Sequence, residues 1–292
     1  MTWRWAKRRR SVSIESDGHQ AANVDLGAVL QQLRKASGLS QERLAARCAM
    51  SQSKVSRIER GKELPSVGDV ERMVKALDVP DELAGKVVTL ARRANVAHVS
   101  GRALAELGLW RAQTEIKHVI DLCSVQRSFL PVMIGGLFQT PEYARAALTP
   151  TLPTSPARDV DKAVAARLDQ QTVLEHPVRQ FHVLLSEQAV RWKRMDRPAM
   201  ARQCEHLADL SERPNIHLGI VPLTASVPAA PLNSFHVYDE RLVIVELFSG
   251  RVDYRDYKDI RYHIDLFEFF RGYALTEDRA RAFLLSARDG LM

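Results

Sequence analysis

The chain has 292 residues, 46% of them hydrophobic and 26% charged, with a formal net charge of +7. That length predicts two domains, or one large domain with an appendage, and that composition excludes a disordered chain. No apolar run reaches the ~18 residues of a spanning helix, and no apolar stretch follows the basic start "MTWRWAKRRRSVS", so neither a membrane span nor a secretory leader is expected.

Cys48, Cys123 and Cys204 are few, odd in number and far apart, which suits a reducing cytoplasm rather than a disulfide framework or a zinc cluster. Charge placement says more than its total. Residues 1–100 hold 18 Lys/Arg against 11 Asp/Glu, whereas residues 101–292 hold 24 of each. A basic surplus confined to one third of the chain points to a polyanionic partner. A membrane surface fits less well, because no amphipathic helix accompanies the basic run. Five of these charges fall within Arg4–Arg10, so residues 1–22 are read as a flexible basic arm. Such an arm lies along phosphates, reaches into a minor groove, or remains a solvated tail.

From Asp25, Leu26, Val29, Leu30 and Leu33 recur at helical spacing, and Gly38 supplies a C-cap. Ser40 caps a short second helix with Leu44, Ala45 and Cys48 inward. Ser51 caps a third, "QSKVSRIER", with Val55 and Ile58 inward, and Gly61 ends it. A fourth helix starts at Pro65–Ser66, and a fifth runs from Pro80 to about Ala94. Two short helices joined by a tight turn form the core of a helix-turn-helix, whose second helix enters the major groove. With Val55 and Ile58 buried, Gln52, Ser53, Lys54, Ser56 and Arg57 face outward. Glutamine pairs with adenine, arginine with guanine and serine with either, and no acid interrupts that face before Glu59.

The run "LRKASGLSQERLAARCAMSQSKVSRIERGKELPS" resembles the lambda-repressor-like, Xre-type helix-turn-helix family over about residues 25–80. The resemblance implies that Gln41 contacts phosphate and buttresses the reading helix, and that Glu59 pairs within the bundle. With the cap Ser51, the candidate DNA-contacting residues are Gln41, Ser51, Gln52, Ser53, Lys54, Ser56 and Arg57. Ala49 departs from the family, whose members often carry glycine at this turn; a left-handed backbone there would be mildly strained.

Beyond about Arg102, "LAELGLWRAQTEIKHVIDLCSVQRSFL" reads as one long helix and "LPVMIGGLFQ" as an extended segment. Thr140 caps a helix with Pro141 at its first position, and "SPARDVDKAVAARLDQQTVLEH" forms another. "QFHVLLSE" and "NIHLGIVPL" read as strands flanking the helix "PAMARQCEHLADLSER", and "SFHVYDERLVIVEL" as a hairpin turning at Asp239–Glu240. Helices at about Tyr254–Arg271 and Thr276–Ala287 close the chain. The expected architecture is multi-domain: an all-α five-helix DNA-binding domain (23–97), then an α+β domain (98–292) with a small antiparallel sheet.

The phrases "IGGLFQTPEYARAAL", "VLLSEQAVRW", "LADLSERPNIHLGIVPL" and "RLVIVELFSG" resemble, in order and spacing, the C-terminal domain of Scr1-type, antitoxin-like regulators of actinobacteria. Membership implies a transcriptional regulator, often encoded beside a small protein that it binds.

Signatures of catalysis are missing: there is no G-x-S-x-G, H-E-x-x-H, P-loop or G-x-G-x-x-G. Cys204, Glu205 and His206 are adjacent on a helix and point apart. Asp256, Asp259 and His263 share a helical face, yet Arg255, Lys258 and Arg261 interleave, as on a charge-paired surface. No enzyme, metal or cofactor is expected. The long loop "VPLTASVPAAPLNSF" between two strands is apolar enough to line a cavity opposite "PVMIGGLFQ". Phe138, Pro228, Phe235 and Glu246 are therefore candidate contacts for a small-molecule effector or a small partner protein. For Glu246, alone in "LVIVEL", an outward position by simple strand alternation is the other reading. Double-stranded DNA is the expected main partner. A homodimer on two half-sites about one helical turn apart is also expected, since one such module makes too small an interface for tight operator recognition.

Overall fold

The computed structural model describes residues 18–107, 109–152 and 159–292. Residues 1–17 of the expected basic arm lie outside them. The chain divides into two compact units, one ending at Ala97 and one beginning at His98.

The first unit contains α1 (Gly18–Ala36), α2 (Gln41–Arg47), α3 (Gln52–Glu59), α4 (Val67–Ala76) and α5 (Asp81–Ala94). Helix α1 begins ahead of the expected Asp25, because "HQAANV" contains no residue that breaks a helix. Serines set the starts of the next three helices: Ser40 accepts from Arg43 N at 3.2 Å, Ser51 from Lys54 N at 3.2 Å and Ser66 from Asp69 N at 3.1 Å. Asp69 returns the last bond to Ser66 N at 3.2 Å, closing a capping box. Leu26, Leu30, Leu44, Val55, Ile58, Val70 and Met73 are fully buried in one core. Each such side chain contributes about 1.5–3 kcal/mol through removal from water. Gly27 lets α1 lie against the end of α3, since a Cβ there would stand 2.4 Å from Ile58 O.

The second unit takes its secondary structure in the order β1 (Val96–Ser100, within which the boundary falls), α6 (Gly101–Leu107), α7 (Leu109–Asp121), β2 (Val125–Leu130), α8 (Pro141–Leu148) and α9 (Val160–Gln171). Then come β3 (Gln180–Ser186), α10 (Glu187–Arg191), α11 (Arg197–Leu210), β4 (Ile216–Val221), β5 (Phe235–Tyr238), β6 (Leu242–Leu247) and β7 (Gly250–Tyr254). The last elements are α12 (Tyr257–Arg271), β8 (Leu275–Thr276) and α13 (Glu277–Asp289).

The sheet corrects the expectation of a small antiparallel one. It has eight strands in the order β1-β7-β6-β5-β2-β3-β4-β8 and is mixed. β2 pairs with β3, and β3 with β4, in parallel, whereas β5, β6, β7 and β8 join antiparallel. The parallel half follows from its connections, since α8–α9 and α10–α11 are crossovers long enough to return the chain to the same edge. The expected long helix also breaks. Its last part, "VQRSFL", is the strand β2 in the middle of the sheet, and "LPVMIGGLFQ" beyond Leu130 is a loop with a 3-10 turn at Gly136–Phe138. The hairpin between β5 and β6 turns at Asp239, which takes φ 49°.

Strand alternation gives the sheet two covered faces. Leu130, Phe181, Val183, Leu185, Leu218 and Ile220 meet α11, α13 and the 134–143 segment on one side. Phe129, Leu184, Phe235, Val237 and Val243 meet α12 on the other.

Candidate nucleic-acid interface and C-terminal cavity

On α3, Ser51, Gln52, Ser53 and Arg57 are exposed, Lys54 and Ser56 are half-buried, and Val55, Ile58 and Glu59 are buried. This is the partition that 3.6-residue spacing demands once Val55 and Ile58 enter the core. A polar chain fixes the helix from behind. Glu59 accepts from Arg34 Nε at 2.6 Å and Arg34 Nη2 at 2.8 Å, and from Gln41 Nε2 at 2.8 Å. Gln52 Nε2 then donates to Gln41 Oε1 at 3.0 Å. Glu59 thereby links the end of α1, the start of α2 and the first residue of α3. Burial pushes its carboxyl up, but the bonds from Arg34 and Gln41 outweigh that and hold it below the usual carboxylate range.

The six α3-region candidates differ in how free they are. Gln52 and Ser53 offer exposed polar atoms, although Ser53 Oγ lies 3.1 Å from Ser51 Oγ and the Ser51 hydroxyl serves the cap. Arg57 is exposed and pairs with Glu63 at 2.7 Å, a solvated contact that a phosphate or a base edge can replace. Lys54 is tied down, its Nζ 2.8 Å from Asp69, whose carboxylate is also held by Arg72 and Ser66 N. Ser56 contributes its carbonyl to Arg60 Nε at 3.1 Å. Ala49 takes φ 53°, the left-handed turn that glycine would occupy without strain.

In the second unit the four candidates separate. Phe138 and Glu246 line a cavity of about 330 Å³ floored by β2, β5, β6 and β7 and roofed by α7, α9 and the 135–138 segment. Phe235 is instead a core residue of the opposite face, its ring tilted against Phe129 with centroids 5.4 Å apart. Its register partner is Val245, so alternation places it away from Glu246. Pro228 is exposed, and its neighbours Val227 and Ala229 pack on that same opposite face, so the 222–234 loop does not line the cavity.

Sheet positions under a helical layer are ordinarily apolar, yet this floor carries Gln126, His236, Glu246 and Arg251. Glu246 is ringed by protein but opens onto the cavity, with 51% of its side chain accessible, and its Oε1 is 3.6 Å from His236 Nε2. Burial raises this carboxyl, whereas His236 and the charge of Arg167 more than offset the rise and hold it low. Arg167 faces it from α9, bonded through Nη1 to Gln139 Oε1 at 2.9 Å, and desolvation brings its guanidinium down to about 10. The loop backbone approaches this group closely because Gly136 has no Cβ; one would stand 3.1 Å from Arg167 Nε. Arg251 is occupied by Asp253 at 3.1 Å and Glu115 at 3.8 Å. Gln126 is buried, donates to Ser128 Oγ at 3.0 Å, and leaves its Oε1 without a partner among the described residues. Arg167, Gln126, His236 and Arg251 escaped the sequence reading. An isolated polar residue within an apolar strand run, as at His236, was the one signal available.

Ser128, His236 and Glu246 form a serine–histidine–carboxylate line, with Ser128 Oγ 2.9 Å from His236 Nδ1. The serine is buried and does not reach the cavity, so the hydroxyl has no access to a substrate there. Asp256 caps α12, and His263 Nδ1 lies 2.7 Å from Asp259 O, which leaves that face as helix-terminal bonding. Cys204 is in the core while Glu205 faces Arg288, so the "CEH" side chains diverge. Among the described residues there is no group of three potential metal ligands, and no helix long and apolar enough to cross a membrane.

No curated protein matches the chain. Of solved structures, the restriction-modification controller protein C.AhdI from Aeromonas hydrophila is 35% identical over 23% of this chain and 99% of its own, with a TM-score of 0.22. The archaeal chromatin protein TrmBL2 is 11% identical over 71% of this chain and 66% of its own, with a TM-score of 0.31. A helix-turn-helix domain model matches residues 25–85. A second model, a domain of unknown function, matches residues 121–286. Spanning more than half of the sequence, that match makes the chain a member of the DUF5753 family, with a helix-turn-helix domain ahead of its defining region.

Proposed function

We propose that the protein is a sequence-specific transcriptional regulator that reads DNA with α3 and senses a small molecule with its C-terminal unit. The observation carrying the first half is the exposed row of Gln52, Ser53 and Arg57 on a helix anchored by the buried Glu59. Such a face supplies bidentate base readers on a rigid support. The chain acts as a homodimer in the cytoplasm, because two half-sites are needed for tight binding. It performs no catalysis. Gel-shift titration against an operator selected from random duplexes tests the reading, with loss of discrimination expected for Gln52→Ala and Arg57→Ala. Unchanged discrimination in both would overturn it.

The alternative is capture of a small neighbouring protein, in keeping with the antitoxin-like resemblance. Leu223 and Leu232 on the 222–234 loop and Phe248 at the β6–β7 turn are exposed apolar side chains that favour this reading. Pull-down with the product of the adjacent gene tests it, and loss of capture in Phe248→Ser and Leu232→Ser is the expected result.

A further inference from the structure

The cavity above β2, β5 and β6 has a chemistry narrow enough to name its occupant's class. Two opposite charges face one void without pairing to each other. Among the described residues, Glu246 has its nearest charged partner in His236 Nε2, at 3.6 Å, and Arg167 makes its bonds to the neutral amides of Gln139 and Gln113. Gln126 also lines the void, but its Oε1, which no described residue satisfies, is closed off from it. The third charge, Arg251, is already balanced by Asp253 and Glu115.

A simple anion would match Arg167 and leave Glu246 facing like charge. A simple cation would do the reverse. A nucleotide phosphate brings more negative charge than one guanidinium offsets. A molecule with one carboxylate and one ammonium satisfies both ends together. Ile116, Ile120, Leu137 and Phe138 supply an apolar part of the lining, beside the polar Gln113, Gln170, His236 and Tyr238. At about 330 Å³ the space is near the lower end of ligand sites, which run roughly 300–1,000 Å³.

We infer that this cavity binds a small zwitterion of the amino-acid type, with its carboxylate at Arg167, its ammonium at Glu246, and an apolar side chain against Ile116, Ile120 and Phe138. This inference rests on the sensing role proposed above and names the class of molecule sensed. Free amino acids and short peptides share the chemistry, and the size of the space favours the former.

Calorimetric titration of the full chain with L-leucine, L-isoleucine, L-phenylalanine and the dipeptide Leu-Leu tests it, with N-acetyl-leucine and leucinamide as controls. The expected result is binding of at least one free amino acid, weakened at least tenfold by blocking either end. Arg167→Gln should abolish dependence on the carboxylate, and Glu246→Gln dependence on the ammonium. Should either variant fail to fold, hydrogen exchange on the unaltered chain reports the same site, with leucine expected to slow exchange in 135–138 and 244–247. Equal binding of blocked and free forms, or binding that both variants retain, would overturn the inference, as would the absence of any binding at millimolar concentration. If a phosphorylated or purely apolar compound instead protects the cavity, the zwitterion assignment fails while the sensing role stands.

Discussion

Arg34 and Glu59 meet at two points, Nε to Oε1 at 2.6 Å and Nη2 to Oε2 at 2.8 Å, with the carboxylate side chain fully buried. Removing one partner leaves the other charge buried and unmatched, so Glu59→Ala is expected to cost about 3–5 kcal/mol in the first unit. The carboxyl lies below its ordinary range, so its contribution is present above the unfolded pKa and is lost as pH falls through the folded one. Urea unfolding from pH 7 downward should therefore show the helix-turn-helix unit weakening below about pH 4. Glu59→Gln should lack that limb; an unaltered acid limb would show that the pair does not contribute as stated.

Lys54 and Arg57 look alike in the sequence, but their partners differ. Lys54 holds Asp69, which is 5% exposed, whereas Arg57 holds a Glu63 that is much more open. Lys54→Ala is expected to lower stability by about 1–2 kcal/mol before any effect on DNA. Arg57→Ala should leave stability within about 0.5 kcal/mol and cost about 1–3 kcal/mol of operator affinity. Paired denaturation and gel-shift titrations separate the two.

Ala49 occupies a left-handed turn at φ 53° between α2 and α3. Glycine takes that conformation freely, so Ala49→Gly is expected to stabilise the first unit by up to about 1 kcal/mol despite glycine's greater unfolded freedom. A melting temperature that falls in this variant would show that the turn carries no strain.

That turn was legible in the sequence, as were the five helices around it, because Ser40, Ser51 and Ser66 mark starts and the apolar period marks faces. The C-terminal unit was harder for two reasons. "VQRSFL" continues an amphipathic helix without a break signal, and only pairing with β3 and β5 makes it a strand. Parallel pairing is a long-range choice, invisible to local spacing. Of the candidates, Phe138 and Glu246 share one cavity, while Phe235 lies on the opposite face, because its side depends on a register with Val245 that only the fold supplies.

His182 stacks on His217 with ring centroids 4.6 Å apart, beside Arg127 and Arg271. Burial, then the neighbouring cations, push its pKa down to about 4. The unfolded state takes up the proton first, so stability is full above about pH 6.5 and declines as pH falls from there toward 4. With solvent screening at this half-buried ring, the loss should reach about 1 kcal/mol at pH 5. His182→Gln is expected to flatten this limb in thermal melts of the full chain between pH 7 and pH 5; a slope equal to that of the unaltered chain would refute it.

The central claim is that α3 reads sequence. Selection of bound duplexes from a random library by the full chain, repeated with Gln52→Ala and Arg57→Ala, tests it most directly. The account predicts a two-half-site operator enriched by the unaltered chain, with relaxed preference at one position per half-site in each variant. No enrichment, or the same operator enriched by all three proteins, would contradict it.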